Sequence, residues 1–207
     1  MRMSQSKEEQ LVWAAFEDNL EKVKSLCRYR ALKINWQYEG GFTALFGACQ
    51  AGHAQVAKHL LSLKGIDPNK PNDEGATPFF KACQEGSKEV VSLLLADPRI
   101  DPNQPRDNGA TPFIIACQNG HKEVVSLLLA DPRIDPNKPL NDESAPLWSA
   151  SCYGHLVVVQ HLLATGREID TRRRSTSNMY QASPRSPDDH LQPGIWVTQR
   201  PHPLPRL

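Results

Sequence analysis

The chain has 207 residues, 39% of them hydrophobic and 23% charged, with Lys+Arg 24 against Asp+Glu 23. A formal net charge of +1 gives no bulk signal for nucleic-acid binding, and no run approaches the ~20 apolar residues of a membrane span. Five cysteines without a C-x-x-C pair fit free thiols in a reducing compartment, and the opening MRMSQSKEEQ lacks the apolar core of a secretory signal.

Along the chain the first segment, 8–37, is a degenerate unit in which Ala14–Val23 aligns with Gly47–Val56 after a one-residue slip. Its Glu8, Glu9, Glu17, Asp18, Glu21 and Lys22 suit the polar outer face that a terminal repeat needs. Four clearer units follow at 38–71, 72–105, 106–139 and 140–170. Residues 73–106 and 107–140 agree at 27 of 34 positions without a gap, so the period is 34.

Each unit has one grammar. Thr77-Pro78 reads as a helix start, because Thr caps well and Pro is tolerated in the first turn. The spacing predicts a helix over 79–85, a stop at Gly86, and a second helix over about 88–96 with Val90, Val91, Leu94 and Leu95 on one face. Pro98 cannot continue that helix, and Ile100-Asp101-Pro102-Asn103 leads into an extended hairpin finger turning at Asp107-Asn108-Gly109. Neither helix buries its apolar face alone, so the units must stack.

The motif T-P-x-x-x-A-C-x-x-G-H-x-x-V-V-x-L-L-L resembles the ankyrin repeat over roughly residues 8–170. The resemblance implies an all-α solenoid of helix-turn-helix pairs with short hairpin fingers. Two departures stand out. Phe46, Phe80, Ile114 and Trp148 replace the family's histidine after T-P-L, and Pro-Arg-Ile-Asp-Pro-Asn replaces the usual Gly-Ala-Asp-Val-Asn. The first should make the first-helix layer more hydrophobic. The second accounts for the period of 34 rather than 33.

From Thr171 the grammar stops. Residues 171–207 hold six of the 17 prolines, no Lys or Glu, and a charge of +4, which leaves −3 for residues 1–170. This tail reads as disordered. Ser175 follows Arg172-Arg173-Arg174, and Ser183 and Ser186 precede prolines, so these three serines are candidate phosphosites.

No Gly-rich phosphate loop, G-x-S-x-G or H-E-x-x-H occurs. Cys49, Cys83 and Cys117 with His53 and His121 could suggest a metal site. However, the cysteines are equivalent positions on neighbouring first helices, about 8–10 Å apart, whereas zinc requires sulfurs about 2.3 Å from one ion. They read as small buried thiols, and Cys152, one position later, as exposed. His53, His121 and His155 read as braces of the turn between helices. No cofactor, metal or catalytic residue is therefore expected.

In proteins of the resembled family, partners contact residues beside the finger-tip Gly and the two residues before the inter-helix Gly. Carried over, the concave-face set is Glu39, Phe42, Gln50, Asp73, Glu74, Gln84, Glu85, Asp107, Asn108, Gln118, Asn119, Asn141, Asp142 and Tyr153. Glu143 stands where the fourth finger would carry Gly. Because Glu74 and Glu85 are replaced by Asn108 and Asn119 at the equivalent positions of the next repeat, the groove reads as acidic toward its middle and neutral toward the C-terminal end, suited to a partner with a basic segment. Val157, on the expected solvent side of the last helix, leaves three readings: the tail covers that face (through Ile195-Trp196-Val197), a partner covers it, or the end frays. The expected function is non-catalytic protein–protein recognition, by a monomer in the cytoplasm or the nucleus, without nucleic-acid or membrane binding. The alternative is a regulatory or adaptor subunit whose phosphorylatable tail is the working element.

Overall fold

The computed structural model of the protein describes residues 6–171. Among them lie ten α-helices: α1 Lys7–Phe16, α2 Leu20–Leu26, α3 Ala44–Ala51, α4 Ala54–Leu61, α5 Pro78–Gln84, α6 Lys88–Leu95, α7 Pro112–Gln118, α8 Lys122–Ala130, α9 Pro146–Cys152 and α10 Leu156–Ala164. A single 3-10 turn, Glu39–Gly41, precedes α3. The helix pairs fall where the repeat predicts them, shifted by one residue. Thr77 is the cap itself, so Pro78 already belongs to α5.

Thr43, Thr77 and Thr111 accept, through Oγ1, the N–H of Phe46 at 3.1 Å, Phe80 at 3.1 Å and Ile114 at 3.2 Å. All three threonines are buried, and each such cap is worth about 1 kcal/mol. Ala145 stands in the same place before α9 and gives no side-chain cap.

The odd-numbered helices pack in one row and the even-numbered helices in a second. Between them Leu45, Phe46, Leu60, Phe79, Phe80, Leu94, Phe113, Ile114 and Leu128 are fully buried, each contributing ~1.5–3 kcal/mol. Cys49, Cys83 and Cys117 lie in this core, and burial pushes their thiols well above the ordinary range.

Three polar ladders tie the repeats together. Asn35, Asn69, Asn103 and Asn137 recur every 34 residues. Their Nδ2 groups donate to the carbonyls of Gly65 (2.8 Å), Arg99 (2.6 Å), Arg133 (2.6 Å) and Glu168 (2.8 Å) of the following repeat. Their Oδ1 atoms accept from the N–H of Asp67 (2.9 Å), Asp101 (3.0 Å), Asp135 (3.1 Å) and Asp170 (2.8 Å). The Ile-Asp-Pro-Asn segment is thus the link from one unit to the next.

The second ladder uses guanidinium groups. Arg99, Arg133 and Arg167 donate to the carbonyls of Leu61 (2.8 Å), Leu95 (2.7 Å) and Leu129 (3.1 Å) at the ends of α4, α6 and α8. These last-turn carbonyls have no partner inside their own helix. Asp97 and Asp131 hold Arg99 and Arg133 at 2.6 and 2.7 Å, and those hydrogen bonds keep both carboxyls below their ordinary range.

The third ladder corrects the expectation for the histidines. His53, His121 and His155 donate through Nε2 to the carbonyls of Phe16 (2.9 Å), Gln84 (2.8 Å) and Gln118 (2.8 Å). Each bond crosses to the preceding unit rather than bracing its own turn. Ser87 fills the place in the second full repeat and cannot make the reach.

The fingers are short and hold no β-strand among the described residues, where the one bridge is Tyr38–Phe42. Each is closed by two main-chain bonds, such as Asn72 N–H to Ala76 O at 2.9 Å with Gly75 N–H to Asn72 O at 3.0 Å. Neighbouring fingers touch through their main chains, Asp73 N–H to Gly40 O at 3.1 Å and Asn141 N–H to Asn108 O at 3.4 Å.

Candidate concave-face interface

The finger tips and the first helices carry the fourteen expected contact residues. Glu39, Asp73, Glu74, Asp107, Asn108, Asn141 and Asp142 are exposed on consecutive tips. Gln50, Gln84, Gln118 and Asn119 are half-buried at the ends of α3, α5 and α7, while Glu85 and Tyr153 are exposed. Phe42 is half-buried and packs on Phe46, with ring centroids 5.0 Å apart. The candidate phosphosites Ser175, Ser183 and Ser186, the tail and its Ile195-Trp196-Val197 segment lie outside the described residues.

Two of the expected acids are already paired. Arg106 Nη2 meets Glu74 Oε2 at 2.9 Å, and Lys81 Nζ meets Glu85 Oε1 at 2.8 Å. The middle of the groove is therefore closer to neutral than the contact set alone implies. Arg106 lies one position before Asp107 and Lys81 three before Gln84, so neither falls in that set. A signal for them was present. Repeats two and three differ at seven positions, and five of these are Glu74/Asn108, Phe80/Ile114, Lys81/Ile115, Glu85/Asn119 and Arg106/Leu140. Each charged partner is exchanged together with its counterpart.

Acidic character persists at the tips. Glu39, Asp73 and Asp107 stand one period apart, exposed, and form no ion pair among the described residues. Beside the first tip lies an aromatic cluster, with Tyr38 5.5 Å from Trp13 and 6.2 Å from Trp36 between ring centroids. Partial burial, and then the carboxylates of Glu39 and Glu9, push the Tyr38 phenol up. Trp13, Trp36 and Tyr38 were not singled out from sequence, since they fall in the degenerate unit and its junction.

Cys152 is exposed at the end of α9, and partial burial raises its thiol. Among the described residues no group of three or more His, Cys, Asp and Glu could hold a metal ion. Nor is any described helix long and apolar enough to cross a membrane.

Comparison with curated proteins returns no match. The profile of the family described as ankyrin repeats (3 copies) matches residues 11–106 and 99–173. Such repeats are generally protein–protein interaction modules. The all-helical stack and the matched span, which covers most of the sequence, lead to one assignment: the chain belongs to the ankyrin-repeat family.

Proposed function

We propose that this protein is a non-catalytic recognition module that binds a partner protein through the concave face, and that the partner contributes a basic segment. The observation that carries this reading is the row of exposed carboxylates at Glu39, Asp73 and Asp107, one per finger and without an ion pair among the described residues, continued by Asp142. The half-buried aromatic rings at Trp13, Tyr38 and Phe42 supply an anchor beside the row, of the kind that dominates interface energetics. A standard interface needs about 800 Å² from each side. Five units at about 10 Å each span enough surface to provide it.

On this reading the units divide at 8–37, 38–71, 72–105, 106–139 and 140–170. The protein works as a monomer in the cytoplasm or nucleus, without nucleic acid, membrane or cofactor. The test is an affinity capture from the cell of origin with wild type and with the variant Phe42→Ala, Asp73→Lys, Asp107→Lys. Circular dichroism checks that the helices persist. Loss of specific partners with the variant supports the concave face, and an unchanged partner set refutes it.

A further inference from the structure

The second and fourth full repeats share two parts of a three-part device. In the second repeat the Arg106 guanidinium lies over the Phe80 ring, 5.9 Å from its centroid, and binds the Glu74 carboxylate at 2.9 Å. Ring and carboxylate come from one repeat and the guanidinium from the next, since Arg106 belongs to the following finger. The third repeat replaces all three together, with Ile114, Leu140 and Asn108. Aliphatic side chains then stand where the charged ones stood, with Ile114 buried and Leu140 partly buried against the core.

The fourth repeat restores an aromatic ring, Trp148, and an acid, Asp142, at the places of Phe80 and Glu74. Its finger closes like that of the second, Leu140 N–H to Ser144 O against Asn72 N–H to Ala76 O, and Glu143 takes the same left-handed φ (68°) as Gly75 (77°). Asp142 Oδ1 accepts the Ser144 N–H at 2.9 Å, which leaves its second oxygen for another donor. Phe46, Phe80 and Ile114 are at most 1% exposed beneath the next finger, whereas Trp148 is 36% exposed.

Among the described residues no arginine lies over Trp148 as Arg106 lies over Phe80. Arg106 follows the ladder residue Asp101 by five positions, as Leu140 follows Asp135. The corresponding ladder residue in the last unit is Asp170, whose N–H binds Asn137 Oδ1 at 2.8 Å, and five positions on stands Ser175. Asn137 reaches Glu168 O across 31 residues, where Asn69 and Asn103 reach Arg99 O and Arg133 O across 30, so the register has one extra residue before Asp170.

We propose that Trp148 and Asp142 form a receptor for an arginine side chain of the partner protein, repeating in trans the Phe80–Arg106–Glu74 arrangement. This rests on the concave-face reading above and deepens it by naming the residue type recognised. A guanidinium suits the place better than an ammonium, because it lies flat on an indole while donating to a carboxylate in its plane. Glu143, exposed on the same tip, adds negative potential.

The test uses the full chain, isotope-labelled for NMR, and the capped peptide Gly-Ser-Arg-Ser-Gly. Its lysine and citrulline counterparts are run at the same ionic strength. The arginine peptide is expected to shift the Trp148 indole N–H and the amides of 141–144 saturably, more tightly than lysine, with no response to citrulline. Trp148→Ala is expected to weaken binding about two- to fivefold, the value of an exposed cation–π contact, and Trp148→Phe to retain most of it. Asp142→Asn tests the carboxylate separately. Three outcomes overturn the proposal: no saturable shift, equal binding of lysine and arginine that ignores Trp148→Ala, or binding that appears only once Arg172, Arg173 and Arg174 are all changed to Ala. The concave-face capture leaves Trp148 and Asp142 intact. Partners lost there while Trp148→Ala retains them would remove the arginine receptor and keep the broader reading.

Discussion

The side-chain amide of Asn103 joins two repeats, donating to the carbonyl of Arg133 at 2.6 Å while accepting the Asp135 N–H at 3.1 Å. Both bonds serve main-chain groups that belong to no helix. Asn103→Ala is expected to cost about 1–2 kcal/mol by urea unfolding, the scale of two partly exposed hydrogen bonds. Asn137→Ala, near the end of the stack, should cost less, because only the last segment is released. Equal and negligible costs at both sites would show that the ladder contributes nothing.

Ser87 interrupts the histidine ladder. In the flanking repeats the imidazole packs over the inter-helix glycine, with Gly86 against the ring of His121, and reaches the preceding helix. The space at Gly52 is bordered by Ser87 in the same manner. Ser87→His should therefore add the missing bond to α3 and raise stability by about 0.5–1.5 kcal/mol. His121→Ala should lower it by a similar amount. A higher urea midpoint for the first variant at pH 8, where the imidazole is neutral, is the expected reading.

Glu143 and Gly109 occupy the same finger position with left-handed φ of 68° and 83°. A Cβ at Gly109 would run into Asn141 of the next finger, while Glu143 has no such finger beside it among the described residues. Glu143→Gly should relieve about 1 kcal/mol of backbone strain. Gly109→Ala should destabilise by more than that, since it adds a clash to the same strain. Thermal unfolding of the two variants measures both, and a neutral Gly109→Ala would show that the fingers can separate freely.

Asp97 receives the N–H of Arg99 at 3.0 Å and its guanidinium at 2.6 Å, and its carboxyl is held below the ordinary range chiefly by that side-chain bond. A depressed carboxyl stabilises the fold fully above its unfolded value of about 3.9 and loses that contribution as pH falls through the folded value. Asp97→Asn should therefore cost about 1 kcal/mol at pH 7, where the charge-assisted bond is lost. The gap from wild type should begin to narrow below about pH 4 and close as the pH falls through the lower folded value of Asp97. Urea midpoints across pH 2.5–7 provide the measurement, and a gap constant over that range would rule out the charge as its source.

Much of this architecture is legible in one dimension. Thr77-Pro78 and Gly86 mark the first helix to within a residue, and the stripe of Val90, Val91 and Leu94 marks the buried face of the second. Cys49, Cys83 and Cys117 follow into the core from their place on equivalent helices. These features are local, set by capping, by the conformational range of Gly and Pro, and by helical periodicity.

The partners of the polar side chains are not local. Arg106 reaches Glu74 across 32 residues, His121 reaches Gln84 O across 37, and Arg99 reaches Leu61 O across 38. A repeat of 34 brings many such pairs near one another, and which atoms meet depends on how each unit is rotated and offset on the last. For that reason sequence determined the period, the helices, the core and the family, and stacking decided that Glu74 and Glu85 are paired. Stacking likewise decided that the Ile-Asp-Pro-Asn segment is a ladder rather than a spacer. It left Trp148 more exposed than Phe46, Phe80 and Ile114, because a ring's burial depends on what the assembled array lays over it, a property of the stack rather than of the repeat.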